Sequence, residues 1–294
     1  MPTRCLLVLL EAPMSSFGGD VIDNRGVVND FPGRSLLTGL VGNALGYDRA
    51  DADKLDRLQS RLVHVAARLR DGRRVRDYQT ARLFEKDVGW TTRGRPEGRA
   101  TSPSFSWDER YERERGVRMK SLTHQRYRDF DVDASTLVAL SLSEGETDDG
   151  NLPDVDDVAR ALDRPERPLF IGRKPNLPAG RMCRGVVVAS SPAAALAMDA
   201  LRSRSGPLPV EGHVGSFGID LSDDGVAVPS VVSLDEGHEA YRLQRHRIGD
   251  ERRHRAGVHA GDRVVLRGWL RPAAEAEPEQ IAAVAGDSSP GSVA

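Results

Sequence analysis

Three short stretches of the sequence combine cations with aromatic or amide side chains, a combination that suits nucleic acid. They are Arg76-Asp-Tyr78-Gln79-Thr80, Trp90 with Arg93 and Arg95, and His124-Gln-Arg126-Tyr127-Arg128. Cations bind phosphates, and aromatic rings or guanidinium planes stack on unpaired bases. Any one of these residues is equally typical of a solvated surface. As a set they favour single-stranded RNA.

A fourth stretch, FPGRSLLTGLVGNALGY at residues 31–47, carries the apolar stripe of a short amphipathic helix. Ser35 is the predicted N-cap and Gly46 the predicted C′ glycine. With Arg34 at the positive end of the helix dipole, the helix mouth is a candidate phosphate site. The glycines within the helix favour close approach of another backbone or of a ligand. A closely packed core helix with a surface arginine stays open as the alternative.

The composition is that of a globular protein. The chain has 294 residues, 39% of them hydrophobic, with 29 glycines and 17 prolines, which fits one large or two small domains with many turns. Cys5 and Cys183 lie far apart in apolar settings, so we expect neither a disulfide framework nor a cysteine metal site, and a cytoplasmic location. No segment approaches the roughly 20 apolar residues of a membrane span.

Charge is unevenly distributed, although the net charge is only −2. Residues 129–163 hold 11 acids and one arginine, whereas residues 68–128 and 238–271 are basic. Such segregation predicts a polyanionic partner for some faces of the protein. An arginine-rich proteome is the alternative, since all but four of the 42 cations are arginine.

The order of predicted elements indicates an α+β protein of the ferredoxin-like type. Buried strands are predicted at residues 4–10, 62–69, 134–142 and 168–172, and helices at residues 35–45, 51–60 and 155–162. Without the polar helix at 51–60, this is the order β-α-β-β-α-β. A basic insertion without periodicity, residues 79–127, interrupts it between the middle strands.

Three regions are predicted along the chain. Residues 1–181 form the ferredoxin-like domain, and residues 182–271 form a smaller, mainly β C-terminal domain. Within the latter we expect a strand at 185–190, a helix at 191–201 and a strand at 264–270. The tail, residues 272–294, has the composition of a disordered segment.

Cofactor and metal motifs are missing from the sequence. It contains no G-x-G-x-x-G, no phosphate-binding P-loop and no G-x-S-x-G elbow. Four histidines, His238, His246, His254 and His259, are too widely spaced for a recognisable set of metal ligands. We therefore expect no cofactor and no metal.

Five segments, in order, resemble the CasD family, the fifth-family Cas subunit of type I-E CRISPR Cascade and a member of the RAMP superfamily. They are LVLLEAPMSSFG, FPGRSLLTGLVGNALG, VRDYQT, HQRYRDFDVDASTLVAL and RPLFIGRKP, between residues 7 and 175. The resemblance implies a modified RRM-like core whose inserted β-hairpin thumb, within residues 80–125, grips RNA. It also implies a subunit that holds the 5′ handle of crRNA beside the CasC backbone and the large CasA subunit, and meets target DNA only indirectly.

The leading hypothesis is therefore a non-catalytic RNA-binding subunit with no membrane partner. The resemblance places the glycine-containing helix beside the 5′ end of the crRNA. The residues expected to contact RNA are Arg34, Ser35, Arg76, Tyr78, Gln79, Arg126, Arg128, Arg173 and Lys174.

The rival hypothesis is a metal-independent crRNA-processing endoribonuclease, as in the related type I-C subunit. Such cleavage needs a general base near the 2′-OH and a proton donor for the leaving oxygen. Tyr47, Lys120 and His124 could supply these roles. In the type I-E system a separate subunit, CasE, does the cutting, which favours the non-catalytic reading. A protein-only scaffold that never touches RNA is the third alternative.

Overall fold

The computed structural model describes residues 2–22, 25–84, 105–112, 117–144, 152–200, 208–213, 244–259, 261 and 263–270. The helices are α1 (Arg34–Ala44), α2 (Ala52–Arg61), α3 (Val155–Asp163) and α4 (Pro192–Ala200). The strands are β1 (Thr3–Glu11), β2 (Met14–Ser15), β3 (Gly18–Ile22), β4 (Arg25–Val28), β5 (Leu62–Arg70), β6 (Arg73–Phe84), β7 (Phe105–Glu112), β8 (Val117–Val132), β9 (Ser135–Leu142), β10 (Cys183–Ala189), β11 (Leu208–His213), β12 (Gln244–Ile248), β13 (Arg252–Arg253), β14 (Val258–His259) and β15 (Arg263–Leu270). Among these helices, none has the length and apolar character needed to cross a membrane.

Seven strands form the central antiparallel sheet, in the order β10-β1-β9-β5-β11-β15-β12. β1 pairs with β9 on one side and with β10 on the other. Successive side chains of β1 enter two different cores, because they point to opposite faces of the sheet. Leu6, Val8 and Leu10 pack with residues of α1 and α3, whereas Cys5 and Leu7 pack with residues of α4. Coverage of both faces explains why the apolar run of β1 is continuous rather than alternating.

The segment between the end of β5 and the start of β9 leaves the central sheet and forms an arm. The arm consists of β6, β7 and β8. Arg70 still pairs with Ser135 in the central sheet, and Arg73 pairs with Val132 in the arm. The chain changes direction between these pairs at Gly72, whose φ is 68°. A Cβ at Gly72 would lie 2.3 Å from the Val132 carbonyl oxygen, so only glycine suits this bend.

Within the arm, β6 pairs with β8 along its whole length, and β7 pairs with β8 near the tip. Near its root, β8 also pairs with β2 and with β4. The arm is therefore longer than the insertion predicted at residues 80–125, since its strands begin at residue 73 and end at residue 132.

Most of the predicted elements are confirmed. The predictions at residues 4–10, 35–45, 51–60, 62–69, 134–142 and 155–162 correspond to β1, α1, α2, β5, β9 and α3. Those at residues 185–190, 191–201 and 264–270 correspond to β10, α4 and β15. Their ends shift by one or two residues, as caps usually do.

The strand predicted at residues 168–172 is wrong. Ile171 is fully buried, but its backbone N–H donates to the Asn176 carbonyl oxygen, so the chain turns back on itself. Gly172, with a φ of 86°, makes this turn possible. The strand that follows α3 in the central sheet is instead β10.

The boundary predicted between residues 181 and 182 stays a prediction. The hydrogen-bonded sheet is continuous across it, since β10 pairs with β1, and β11 pairs with β5. The tail predicted from residue 272 lies outside the described residues.

Candidate nucleic-acid interface

Near the root of the arm, β6 and β8 carry two rows of side chains on opposite faces. Cross-strand partners share a face, and neighbours along a strand alternate. One row consists of the pairs Tyr78–Tyr127, Arg76–Asp129 and Arg74–Asp131; we call it the tyrosine face. The other consists of the pairs Gln79–Arg126, Asp77–Arg128 and Val75–Phe130; we call it the arginine face.

On the tyrosine face, two aromatic rings lie beside an ion pair. The ring centroids of Tyr78 and Tyr127 are 5.0 Å apart, with planes tilted by 35°. Arg76 donates two hydrogen bonds to the Asp129 carboxylate, at 2.8 and 3.2 Å. These bonds hold the pKa of Asp129 below its ordinary value, so the carboxylate is ionised at neutral pH. Asp129 therefore offsets part of the Arg76 charge.

At the inner end of this face, Asp131 joins the arm to the chain that leads into α1. The buried Asp131 carboxylate accepts hydrogen bonds from Arg68 at 3.1 Å and from Arg74 at 3.0 Å. Arg74 also donates to the Asp30 carboxylate at 2.9 Å, and Arg68 to the Asp30 carbonyl oxygen at 2.6 Å. Since Asp30 stands shortly before α1, this network holds the arm root beside the first turn of that helix.

The arginine face is the more electropositive of the two. Arg173 lies over the Phe130 ring, 4.4 Å from its centroid, and donates to the carbonyl oxygens of Asp129 at 2.8 Å and Gly26 at 3.2 Å. Burial, followed by the charge of Arg128, lowers the pKa of Arg173. Within the described part of the chain, Arg128 makes no ion pair. Asp129 and Asp77 offset only part of this positive charge, so two neighbouring guanidinium groups here attract a further anion.

The loop that supplies Arg173 and Lys174 is fixed by one glycine and two polar side chains. A Cβ at Gly172 would lie 1.8 Å from the Ser16 carbonyl oxygen. The Ser16 hydroxyl accepts hydrogen bonds from the Arg173 backbone N–H at 3.2 Å and from Asn176 Nδ2 at 2.9 Å. This loop places Arg173 on the arginine face and leaves Lys174 exposed.

At the N-terminus of α1, the backbone N–H groups donate hydrogen bonds to an aspartate of the same chain. Asp250 Oδ2 accepts from the Arg34 backbone N–H at 2.6 Å, and the Asp250 carbonyl oxygen accepts from the Ser35 N–H at 3.0 Å. The N-cap is Gly33, without a side-chain cap hydrogen bond, so the prediction of Ser35 as the N-cap is wrong. The position predicted for a phosphate is therefore filled by Asp250, an anion that suits the helix dipole equally well.

The side chain of Arg34 is engaged as well. It is only 12% exposed and forms a 2.8 Å ion pair with Glu251. Burial, followed by the charge of Arg263, lowers its pKa. A role for Arg34 and Ser35 in contacting RNA stays a prediction.

The three glycines of the α1 region have three different environments. A Cβ at Gly42 would lie 2.6 Å from Leu55 Cδ2, so this glycine admits close packing of α2. Gly46 follows the helix with a φ of 81°, which confirms the predicted C′ glycine. Gly39 is exposed and has no atom within 4 Å of a built Cβ. The packing alternative thus holds for Gly42, and Gly39 remains open to a ligand or partner.

The predicted RNA contacts therefore separate into groups. Arg76 and Tyr78 share the tyrosine face. The arginine face brings together Gln79, Arg126, Arg128 and Arg173. Lys174 lies in the adjoining loop, and Arg34 and Ser35 lie at the helix mouth.

One further cation, Arg25, was missed by the sequence reasoning. It is exposed and lies opposite Tyr127 in the parallel pairing of β4 with β8. Its neighbours along the chain are glycine, aspartate and asparagine, which have the composition of a loop. Only the pairing of β4 with β8 brings Arg25 to the tyrosine face, so local sequence carries no signal for it.

The residues of the endoribonuclease hypothesis lie on different elements. Tyr47 follows α1, with Lys54 Nζ 5.3 Å from its ring centroid, and burial raises its pKa. A raised pKa keeps this hydroxyl protonated, as a hydrogen-bond donor. Lys120 and His124 belong to β8 toward the tip of the arm, where they face Glu109 and Phe105 of β7 in the strand pairing. Their side chains lie outside the described part, and the convergence of the three stays a prediction.

Metal sites and cavities add nothing to this interface. In the described ranges, no three His, Cys, Asp or Glu side chains converge as metal ligands. A cavity of about 520 Å³, lined in part by Arg4, Ser141 and Ser191, lies at the opposite end of β9 from the arm.

A family model and two solved structures are similar to this chain. A family model described as CRISPR-associated protein (Cas_Cas5), of the Cas5d kind, matches residues 5–265. A chain of a solved "CRISPR RNA-guided surveillance complex" is 17% identical with a TM-score of 0.55, over 92% of this chain and 91% of that chain. A chain solved as "Crystal structure of Cas protein" is 21% identical with a TM-score of 0.46, over 91% and 95% of the two chains. No curated protein matches the sequence.

Proposed function

The chain belongs to the Cas5 family of CRISPR-associated proteins, and on this premise we propose that it is a non-catalytic subunit of a CRISPR RNA-guided surveillance complex. In this proposal it binds the 5′ handle of the crRNA beside the CasC backbone and the large CasA subunit. The similar chain from a solved surveillance complex supports the fold on which the proposal rests. We further assign the core, with strand order β10-β1-β9-β5 and helices α1 and α3 on one face, to the ferredoxin-like RAMP class.

One observation carries the RNA-binding proposal: Arg128 and Arg173 both lie against Gly26 at the root of the arm, where a Cβ on that glycine would be 3.8 Å from Arg128 Cγ and 3.1 Å from Arg173 Nη2. Repulsion between two guanidinium groups costs free energy unless an anion lies between them. Of the described carboxylates near them, Asp129 is paired with Arg76, whereas Asp77 accepts a hydrogen bond from the neutral Gln79 and keeps its charge, so one carboxylate stands against two cations. A phosphate of the RNA backbone would neutralise both cations and accept their hydrogen bonds.

Deletion of the outer arm tests the proposal. In the described structure, the outer parts of β6, β7 and β8 pair only with one another. Replacement of residues 82–123 by an Asn-Gly turn should therefore leave the core folded. Because Arg128 and Arg173 remain, handle binding should weaken without being lost, and the further change Arg128→Ala in the deletion variant should abolish tight binding. Binding is measured by filter retention against a scrambled handle of the same length, and folding by thermal denaturation. Unchanged handle binding by the folded variant that lacks both the outer arm and the Arg128 guanidinium would overturn the proposal.

The type I-E assignment rests on the sequence resemblance, and the name of the matching model favours a second candidate. That model is of the Cas5d kind, which belongs to type I-C. The second candidate is the metal-independent crRNA-processing endoribonuclease, with His124 on β8 as the base. A single discrete cut in repeat RNA that persists in EDTA and disappears in His124→Ala, with binding retained, would select it. Uncut RNA in the same assay supports the non-catalytic subunit.

A further inference from the structure

The tyrosine face differs from the arginine face in what it offers to RNA. Its cation Arg76 is already paired with Asp129, so its net charge is low. Its distinctive feature is an exposed aromatic surface, since Tyr78 is 51% exposed at the middle of a β-strand. Its neighbours along β6 on that face, Arg76 and Thr80, are polar and exposed. Among the described side chains of β6 on this face, the ring of Tyr78 is therefore the one apolar plane.

Tyr127 supports this plane from the adjoining strand. The two rings are in contact at 5.0 Å, which leaves no room for a base between them. A base can instead stack on the outer face of Tyr78, while Tyr127, only partly exposed, holds that ring in place. Exposed aromatic residues on adjacent strands are the arrangement by which sheet-based RNA-binding modules stack unpaired bases.

Arg25 adds the charge that a stacked nucleotide requires. It lies opposite Tyr127 on the far side from Tyr78, and neighbouring strands are about 4.8 Å apart. In the part of the chain that the structure describes, Arg25 makes no ion pair. A flexible guanidinium at that position can reach the phosphate next to the stacked base.

We propose that Tyr78, Tyr127 and Arg25 form a binding site for one unpaired nucleotide, whose base stacks on Tyr78 and whose phosphate binds Arg25. This site rests on the proposed function. It assigns different parts of the RNA to the two faces of the arm. The arginine face holds backbone phosphates, and the tyrosine face holds a single splayed base.

The experiment uses handle RNAs that carry 2-aminopurine, a base whose fluorescence falls when it stacks, at one position at a time. With the full-length protein, one position should be quenched on binding. The Tyr78→Leu variant should lose this quenching and bind the RNA about 5- to 150-fold more weakly, the range for one base–aromatic stack. The Tyr78→Phe variant should keep both properties, because stacking requires the ring and not the hydroxyl.

Matched controls separate the site from general effects. Trp269→Leu removes an exposed aromatic residue from β15 in the central sheet, and it should change neither quenching nor affinity. An abasic nucleotide at the quenched position should weaken binding by the wild type as much as Tyr78→Leu does. The abasic RNA and the Tyr78→Leu variant together should cause no further loss, and this comparison remains valid if Tyr78→Leu is partly destabilised.

The outcomes distinguish the two levels of the proposal. If the wild type binds the handle but no position loses its quenching in Tyr78→Leu, the nucleotide site is overturned while RNA binding stands. If the wild type binds no handle RNA, the proposed function is itself overturned. Quenching that depends on Tyr78 and weakens in Arg25→Ala supports the complete site.

Discussion

The Asp250 carboxylate and the Arg263 guanidinium form two hydrogen bonds of 2.7 Å beneath the first turn of α1, with both side chains about 95% buried. Asp250 also accepts the Arg34 backbone N–H. A segment more than 200 residues away in sequence thus caps the glycine-containing helix. The positive end of the α1 dipole is therefore already neutralised by Asp250 before any RNA reaches it.

Loss of this buried pair should destabilise the fold strongly. The Asp250→Ala variant leaves Arg263 charged, buried and without its partner, which costs about 3–5 kcal/mol. The matched change Glu251→Ala removes the carboxylate partner of Arg34. Because the Glu251 side chain is 30% exposed, this change should cost only about 1 kcal/mol. Urea denaturation measures both free energies of unfolding. Equal losses in the two variants would show that Asp250 is not the principal cap.

Acidification should weaken the same region through His64. This side chain is buried, and burial followed by the charges of Arg263 and Arg34 places its pKa well below the ordinary value of 6.5. As the pH falls through 6.5, His64 therefore becomes protonated in the unfolded chain but stays neutral in the folded protein. The stabilisation is complete above pH 6.5 and is lost as the pH falls from there toward the lower folded pKa.

The test compares the pH dependence of unfolding in wild type and His64→Gln. Between pH 6 and 5 the wild type should lose up to about 1.4 kcal/mol more per pH unit than the variant, the value for one proton. His213 also has a lowered pKa, by burial and then Arg34, so a residual slope remains in the variant. Identical slopes in both proteins would contradict the buried, uncharged state of His64.

Two glycines of α1 should respond differently to alanine. At Gly39 no atom lies within 4 Å of a new Cβ, whereas at Gly42 Leu55 Cδ2 lies at 2.6 Å. Gly39→Ala should therefore stabilise the protein by about 0.5–1 kcal/mol, and Gly42→Ala should stabilise it less or destabilise it. If Gly39 admits RNA or a neighbouring subunit, Gly39→Ala will also weaken handle binding or assembly. A gain in stability with unchanged binding and assembly would assign Gly39 no such role.

Arg128→Ala should separate RNA affinity from stability. Removal of one of two neighbouring cations relieves repulsion with Arg173, so the free energy of unfolding should stay within about 0.5 kcal/mol of the wild type. Handle affinity should fall, and the slope of log K against log salt should decrease by about 0.7, the value for one phosphate contact on a single strand. Arg184→Ala, an exposed arginine of β10, is the control. An unchanged salt slope in Arg128→Ala would show that Arg128 on the arginine face contacts no phosphate.

The sequence predicted those elements whose apolar residues follow a clear period. β1, β9 and α1 belong to this class, because each buries a long apolar stripe. The run PLFIG at 168–172 misled for a physical reason: Ile171 is buried by a turn at Gly172, and burial alone does not distinguish a strand from a buried turn. The cap of α1 by Asp250 could not be read from local sequence, since it depends on contacts across most of the chain.

The candidate site shows the same division. Cations and aromatic residues of β6 and β8 were identifiable because they cluster in sequence. Which face each one occupies followed only from the register Tyr78–Tyr127, and Arg25 entered only through its pairing on β8. Long-range pairing, rather than residue type, decides which of these side chains meet.

The fate of cognate crRNA bound to the purified full-length protein tests most directly whether the chain is a non-catalytic, handle-binding subunit. The RNA is labelled at its 5′ end and incubated with and without EDTA, and retention and length are measured on native and denaturing gels. We expect RNA that is retained through its 5′ handle, is released by a scrambled handle only at large excess, and keeps its full length. Failure to retain the handle, or one discrete cut that His124→Ala abolishes, would contradict this expectation.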